Sequence, residues 1–204
     1  LSLGTDQRLR RKVAKLAAPG PGGLVADICG GTGDLAAEVR RLHPQSTVVL
    51  VDFAEQMLRL AKQKLPDARI HAVAGDACRL PLADGSCDAV TAGFGFRNLQ
   101  SVRAGLLEAA RVLRPGGRVV LLELFRPDGA LAPLQSAVLR AGVPGVAWFV
   151  APGRVPAYRY LARSILDFVT RDEMVALMRE CGFRDLEMSR GLFGYLTVIG
   201  ATRP

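Results

Sequence analysis

The segment from Leu24 to Leu42 restricts this chain to a small set of folds. Leu24–Cys29 is an apolar run broken only by Asp27, Gly30-Gly31-Thr32-Gly33 follows, and Asp34–Leu42 has helical periodicity. That is a buried strand, a turn in which glycines let the backbone pass tightly, and a helix. The alternation then repeats. Thr47–Phe53 reads as a strand, Glu55–Leu65 as a helix with Met57, Leu58, Ala61 and Leu65 on one face, and Ile70–Ala74 and Cys87–Gly93 as strands. Val102–Leu113 reads as a helix stopped by Arg114-Pro115-Gly116-Gly117, and Arg118–Phe125 as a fifth strand. Continuously apolar strands separated by helices predict a parallel sheet covered on both faces.

The pattern changes after Phe125. The stretch from Gly129 to Pro156 is apolar but rich in Pro and Gly, so short helix plus loop is expected; Tyr158–Phe168 reads as a helix. Thr170 with Glu173 is a capping box that opens a further helix, closed at Gly182. Arg184–Ser189 and Tyr195–Thr202 then read as strands of a hairpin joined by Gly191-Leu192-Phe193-Gly194. The expected fold is therefore α/β, a doubly wound, mostly parallel seven-stranded sheet ending in an antiparallel hairpin. A single domain is expected over 1–204, with 129–168 as a cap on the substrate side.

Composition excludes several classes. The longest apolar stretch, Ala141–Pro152, is broken by Gly and Pro and falls short of the roughly 20 residues a bilayer span needs. The first residues carry neither an apolar signal core nor a basic flank, so a cytoplasmic protein is expected. The cysteines Cys29, Cys78, Cys87 and Cys181 form no Cys-x-x-Cys pair, and His43 and His71 are isolated, so no metal site is expected. The net charge is +8, mostly from arginine. Arg8, Arg10, Arg11, Lys12 and Lys15 cluster on an expected first helix, where they face phosphates, lipid headgroups or only solvent.

The glycine loop alone fits either of two cofactors, because Gly31, Gly33 and Ala36 also match the Gly-x-Gly-x-x-Ala pattern of a dinucleotide site. Asp27 separates them. A carboxylate just before the glycines repels a pyrophosphate but suits the cationic methionine portion of S-adenosylmethionine; its alternative role is to organise the loop amides. Asp52 ends the second strand, about 20 residues past the glycines, where a ribose-binding acid belongs. Phe53 is its neighbour. Asp76 follows the third strand, placed to accept from an adenine amino group while the Ala77 amide serves a ring nitrogen. Acids after three successive strands line one rim of the sheet, the place where open α/β sheets bind ligands. S-adenosylmethionine, leaving as S-adenosylhomocysteine, is the cofactor these residues point to.

The segments Asp27-Ile-Cys-Gly-Gly-Thr-Gly-Asp34, Gly93-Phe-Gly-Phe-Arg-Asn98, Leu113-Arg-Pro-Gly-Gly117 and Tyr158-Arg-Tyr-Leu-Ala-Arg-Ser-Ile165 resemble the ubiquinone/menaquinone biosynthesis C-methyltransferases over nearly the whole chain. The second and fourth segments are the more particular to that family. The resemblance implies methylation of a ring carbon of a prenylated quinol, with Thr32, Asp52, Asp76 and Ala77 at the cofactor and Arg97 and Asn98 facing the ring; Gly31, Gly33, Phe53 and Gly93 are further expected cofactor residues. The chain departs from the family's usual residues at Gly93 (commonly Ser), Cys29 (Ala), Phe96 (Leu) and Val169 (Pro). A guanidinium holds its proton too firmly to be a direct base. Arg97 is therefore expected to hold a phenolate or a water, or else to shape the loop through a salt bridge. Asn98 can both donate and accept. Leu131–Val150, with Trp148 and Phe149, is the expected wall for a prenyl tail, or else a packed cap or dimer contact. Tyr158, Tyr160 and Arg163 are placed to hold it. Contact with a membrane surface and a homodimer are further expectations.

Three other readings compete. A nucleic-acid methyltransferase would suit the charge, but Gly93-Phe94-Gly95-Phe96 replaces the Pro-Pro-aromatic segment that amino-methylating enzymes use, and no Cys follows a Pro; no nucleic-acid partner is expected. A non-catalytic subunit of the same fold and a methyltransferase of another small phenol remain open. A nicotinamide oxidoreductase is opposed by Asp27 and the terminal hairpin.

Overall fold

The computed structural model describes residues 5–142, 144–145, 148, 152–191 and 196–204. A first helix α1 (Thr5–Ala17) precedes β1 (Leu24–Ile28), α2 (Asp34–Leu42), β2 (Thr47–Asp52), α3 (Glu55–Lys64) and β3 (Ile70–Ala74). Then come β4 (Cys87–Gly93), a single 3-10 turn Phe96–Asn98, α4 (Val102–Val112) and β5 (Leu113–Leu124). The strands lie in the order β3-β2-β1-β4-β5-β7-β6, where β6 is Arg184–Arg190 and β7 is Leu196–Thr202. The first five pair in parallel, and β7 runs antiparallel to both β5 and β6. This is the doubly wound, mostly parallel seven-stranded sheet expected, with its antiparallel end. Of the expected hairpin turn, Leu192, Phe193 and Gly194 lie outside the described residues, as do Phe149 and Val150 of the expected tail wall.

Alternate residues of a strand point to opposite faces, so a strand covered on both sides must be apolar throughout. Val25, Val48, Leu50 and Val120 pack under α1, α2 and α3 against Leu9, Val13, Leu35, Val39 and Leu58. Their neighbours Ala26, Ile28, Val119 and Leu121 pack on the other face against Leu106 and Val112 of α4 and Met174 and Met178 of α7 (Arg171–Glu180). Each fully buried side chain of this size contributes roughly 1.5–3 kcal/mol relative to exposure. The single polar residue of β1, Asp27, is therefore a large local cost that something must offset.

Two boundaries differ from expectation for local reasons. The Arg114–Gly117 turn does not precede β5 but sits inside it: Leu113 pairs with Cys87 and Arg118 with Ala89, so the turn bulges out of a continuing strand. Gly116, at φ +77°, donates its N–H to the Arg203 carbonyl at 2.8 Å, and Arg203 N–H returns to the Gly117 carbonyl at 2.8 Å, closing the bulge against the C-terminus. Helix α6 (Val155–Leu166) starts before Tyr158, because Pro156 in a first turn loses no helical hydrogen bond. It is preceded by the short helix α5 (Ala132–Ala137), a π-helical turn Val138–Gly142 and a 3-10 turn Pro152–Arg154.

The outer strands differ in character. His71 lies exposed on the edge strand β3. On the other edge, β6 is mostly exposed, its register slips between Arg184 and Glu187, and Asp185 sits at φ +50°. No helix among the described residues is long and apolar enough to cross a membrane. Helix α7 opens with both bonds of its capping box: Glu173 N–H donates to Thr170 Oγ1 at 3.2 Å, and Thr170 N–H donates to Glu173 Oε2 at 2.7 Å. Thr170→Ala is expected to lower the unfolding free energy by about 1 kcal/mol, read as a lower denaturant midpoint with unchanged slope.

Candidate active site

Strand β1 lies between β2 and β4, and the helices that follow β1 and β4 pack on opposite faces. The chain therefore parts at the carboxyl ends of β1 and β4 and leaves a crevice there. A cleft of about 410 Å³ opens along this rim, lined by Cys29, Asp52, Phe53, Gly75, Asp76, Ala77, Phe94, Gly95, Asn98, Leu99 and Gln100. It brings together Asp52, Phe53, Asp76, Ala77 and Asn98 of the residues expected from sequence. Asp27, Gly31, Thr32, Gly33, Gly93 and Arg97 are not among its lining residues.

Asp27 is fully buried. Its Oδ1 accepts a hydrogen bond from Thr91 Oγ1 of β4 at 2.9 Å, while Oδ2 has no partner. Burial pushes the carboxyl up to about 7, against the opposing pull of the Thr91 hydroxyl and the Arg10 charge. A half-satisfied buried acid beside a crevice is poised to meet a cation.

Asp52 organises the loop it faces. Its Oδ2 accepts the Gly31 N–H at 2.8 Å, and its Oδ1 accepts the Ala54 N–H at 2.8 Å. An ionised carboxylate offers about four acceptor sites, so two remain for a ligand. Gly33 sits at φ +79° and donates its N–H to the Gly30 carbonyl at 2.9 Å, which makes the tight turn into α2. Asp76 Oδ1 accepts the Cys78 N–H at 2.8 Å, fixing the turn after β3. Cys29 lines the cleft, but burial, reinforced by Asp52 and Asp27, pushes its thiol up to about 12, so it is not a thiolate nucleophile.

The segment after β4 is held unusually firmly. Phe94 adopts φ +62°, a conformation that costs a non-glycine residue roughly 1–3 kcal/mol and persists only where its surroundings impose it. Its N–H donates to the Leu122 carbonyl at 2.8 Å, and its carbonyl accepts from Arg97 Nη1 at 2.6 Å. Its ring meets the guanidiniums of Arg10, 5.4 Å from the centroid, and Arg97, 6.0 Å away. Gly95 leaves no room for a side chain, which would collide with Cys29 Cβ. Arg97 Nη1 also pairs with Glu123 Oε1 at 2.6 Å, with side-chain exposures of 11% and 1%. The carboxylate takes the Leu124 N–H at 2.9 Å and the Arg97 N–H at 3.3 Å as well. Burial pushes the Glu123 carboxyl up and the Arg97 guanidinium pulls it back. Asn98, at the end of this segment, accepts through Oδ1 from Tyr160 Oη of α6 at 2.8 Å, which ties α6 to the cleft.

Four residues of this arrangement escaped the sequence reading. Thr91 and Glu123 each stand between apolar neighbours in the strands Cys87–Gly93 and Leu113–Leu124, and a polar residue at such a place is a usable signal. Arg10 belongs in sequence to a basic cluster, and Phe94 to a motif. Their contacts depend on how α1 and the segment after β4 pack.

The model of the ubiE/COQ5 methyltransferase family matches residues 1–201. The chain belongs to that family. It is 42% identical over 187 residues to a demethylmenaquinone methyltransferase of Deinococcus radiodurans, covering 90% of this chain and 77% of that protein. It is 36% identical over 204 residues to the ubiquinone/menaquinone biosynthesis C-methyltransferase UbiE of Geobacter sulfurreducens, covering 97% and 79%. Among solved structures, an S-adenosylmethionine-dependent methyltransferase of Thermotoga maritima superposes with TM-score 0.71 at 19% identity, covering 100% of this chain and 93% of that one, a likeness of fold. This ubiE/COQ5 family member is a methyltransferase.

Removing Arg97 would leave Glu123 buried without its counter-charge. Arg97→Ala is expected to destabilise the protein by about 3–5 kcal/mol, measured by denaturant unfolding, and the double variant Arg97→Ala/Glu123→Leu to recover much of the loss.

Proposed function

We propose that this protein transfers a methyl group from S-adenosylmethionine to a ring carbon of a prenylated quinol, demethylmenaquinol or a ubiquinol precursor. The observation that carries the reading is one cleft lined by Asp52 and Asp76 together with Asn98, in a chain 36–42% identical to enzymes named for quinone methylation. S-adenosylmethionine, when bound, supplies an electrophilic methyl on its sulfonium sulfur and departs as S-adenosylhomocysteine.

The residues present fit that group. Asp27 offers a buried oxygen without a partner to the cationic amino-acid end. Asp52 keeps acceptor capacity for the ribose hydroxyls, and the exposed face of Phe53 covers them. Asp76 and the Ala77 amide serve the adenine edge. At Gly31 an added Cβ would meet nothing within 4 Å, so the backbone of the loop is open to a ligand. Thr32, Gly33 and Gly93 shape the same corner.

On the substrate side Asn98 has its amide oxygen committed to Tyr160, which leaves its N–H donors to a phenolic oxygen. An ionised phenol makes the neighbouring ring carbon nucleophilic; a C–C bond forms as the C–S bond breaks, and the ring proton leaves to water. Arg97, locked to Glu123, holds Phe94 and Asn98 in place. Residues 129–168 act as the cap of a single 1–204 domain. Exposed Leu131, Leu134, Val138 and Trp148 offer apolar surface to the prenyl tail, and Arg140, Arg159 and Arg163 line a neighbouring cleft that suits a peripheral contact with anionic lipid. A homodimer is compatible with this arrangement.

Incubation with labelled S-adenosylmethionine and reduced demethylmenaquinol is expected to label the ring, and the oxidised quinone to remain unlabelled; labelling of neither would end the reading. Asn98→Ala should cut kcat by about 10²-fold with cofactor affinity near the wild-type value, whereas Asp52→Ala should weaken cofactor binding about tenfold or more. Cofactor affinity measured by calorimetry should fall as pH drops below about 7, because Asp27 then carries a proton that it must release to meet a cation. Above that pH the affinity should level off, and Asp27→Asn should remove the dependence.

A further inference from the structure

The basic cluster on α1 is not uniform. Arg8 and Arg11 point to solvent, and Arg11 reaches Glu38 on α2 at 3.9 Å. Arg10 turns inward, with its side chain only 16% exposed. Its guanidinium lies over the Phe94 ring, and Nη1 comes within 3.6 Å of where a Cβ on Gly93 would stand. Gly93 closes β4, the strand paired with β1 beside Asp27. The ion pair of Arg10 with Asp34 is long, 3.9 Å, beyond hydrogen-bond reach. A guanidinium largely withdrawn from water and facing an aromatic ring thus stands at the corner where a buried carboxylate oxygen of Asp27 also has no partner. The Arg10 charge is felt at Asp27.

Two opposite charges that feel each other beside one end of the crevice, one of them with an unpartnered oxygen, complement a ligand end that carries opposite charges one carbon apart. That is the zwitterion of an α-amino acid. We infer that Arg10 is a cofactor-binding residue, its guanidinium receiving the α-carboxylate of the methionine portion while Asp27 receives the ammonium. The assignment rests on the cofactor reading above. It adds that α1, outside the strand–helix alternation, completes the cofactor site. The planar fork of an arginine suits a carboxylate, and its Nη1 stands beside Gly93 at the strand end.

The test compares two ligands on the full chain by calorimetry. S-adenosylmethionine carries the amino-acid end; 5′-methylthioadenosine keeps the nucleoside and lacks it. Arg10→Gln is expected to weaken S-adenosylmethionine about tenfold or more, the loss of one charge-assisted hydrogen-bonded pair, and to leave methylthioadenosine unchanged. Arg11→Ala, on the solvent side of the same helix, should change neither. Equal weakening of both ligands by Arg10→Gln would show that α1 merely braces the fold, and undiminished S-adenosylmethionine affinity would also overturn the assignment. If Arg10→Gln does not fold, the wild-type protein decides with decarboxylated S-adenosylmethionine: binding about tenfold weaker than the parent supports Arg10, and equal binding overturns it. A wild-type protein that binds methylthioadenosine but gains nothing from the amino-acid end overturns the Arg10 assignment alone. One that binds neither ligand overturns the cofactor reading with it.

Discussion

The hydrogen bond between Thr91 and Asp27 ties together the two strands on which the whole site is hung. Parallel neighbours β1 and β4 send their following helices to opposite faces, and a cleft opens along their carboxyl ends. Placing an acid at that seam, fully out of water, would be prohibitive without a donor across the pair. The hydroxyl answers one oxygen and leaves the other without a partner. The carboxylates of Asp52 and Asp76 stand on the succeeding strand ends in a wetter setting, where they fix backbone turns and retain acceptor capacity.

A second buried charge, Glu123, governs the opposite side of the cleft. It sits on β5, next to β4, and gathers the Arg97 side chain and two backbone amides. Through Arg97 it reaches the Phe94 carbonyl, and so imposes a left-handed conformation that Phe94 would not adopt alone. The side chains that hold the segment after β4, Arg97 and Glu123, are therefore not among those that line the cleft. Position is set from within the sheet, and the exposed Asn98 is fixed at the end of a chain of buried contacts.

The sheet, its order of elements and the acids on its rim were legible because each rests on a local pattern. Continuous apolar strands, helical spacing at Glu55–Leu65, the Thr170–Glu173 box and the glycines after Cys29 each carry their own signature in a few residues. The bulge at Arg114–Gly117 was hidden because Pro and Gly announce a turn equally well between elements or inside a strand. The Arg97–Glu123 pair, the stacking of Arg10 on Phe94 and the Tyr160–Asn98 bond were not legible. Each joins residues distant in sequence, and only packing decides which of many arginines and carboxylates meet.

The outermost strand has a bearing on how this molecule behaves in a crowd. An open sheet ends in a row of unpaired amides and carbonyls that invites strands from other chains. Here that border carries Arg184, Asp185, Glu187 and Arg190, a slipped register and a left-handed residue near its start. A visiting strand would have to bury those charges and follow a broken ladder, so the far margin of the sheet is a poor template for aggregation, and the protein can keep a long, otherwise hydrophobic sheet without seeding fibres.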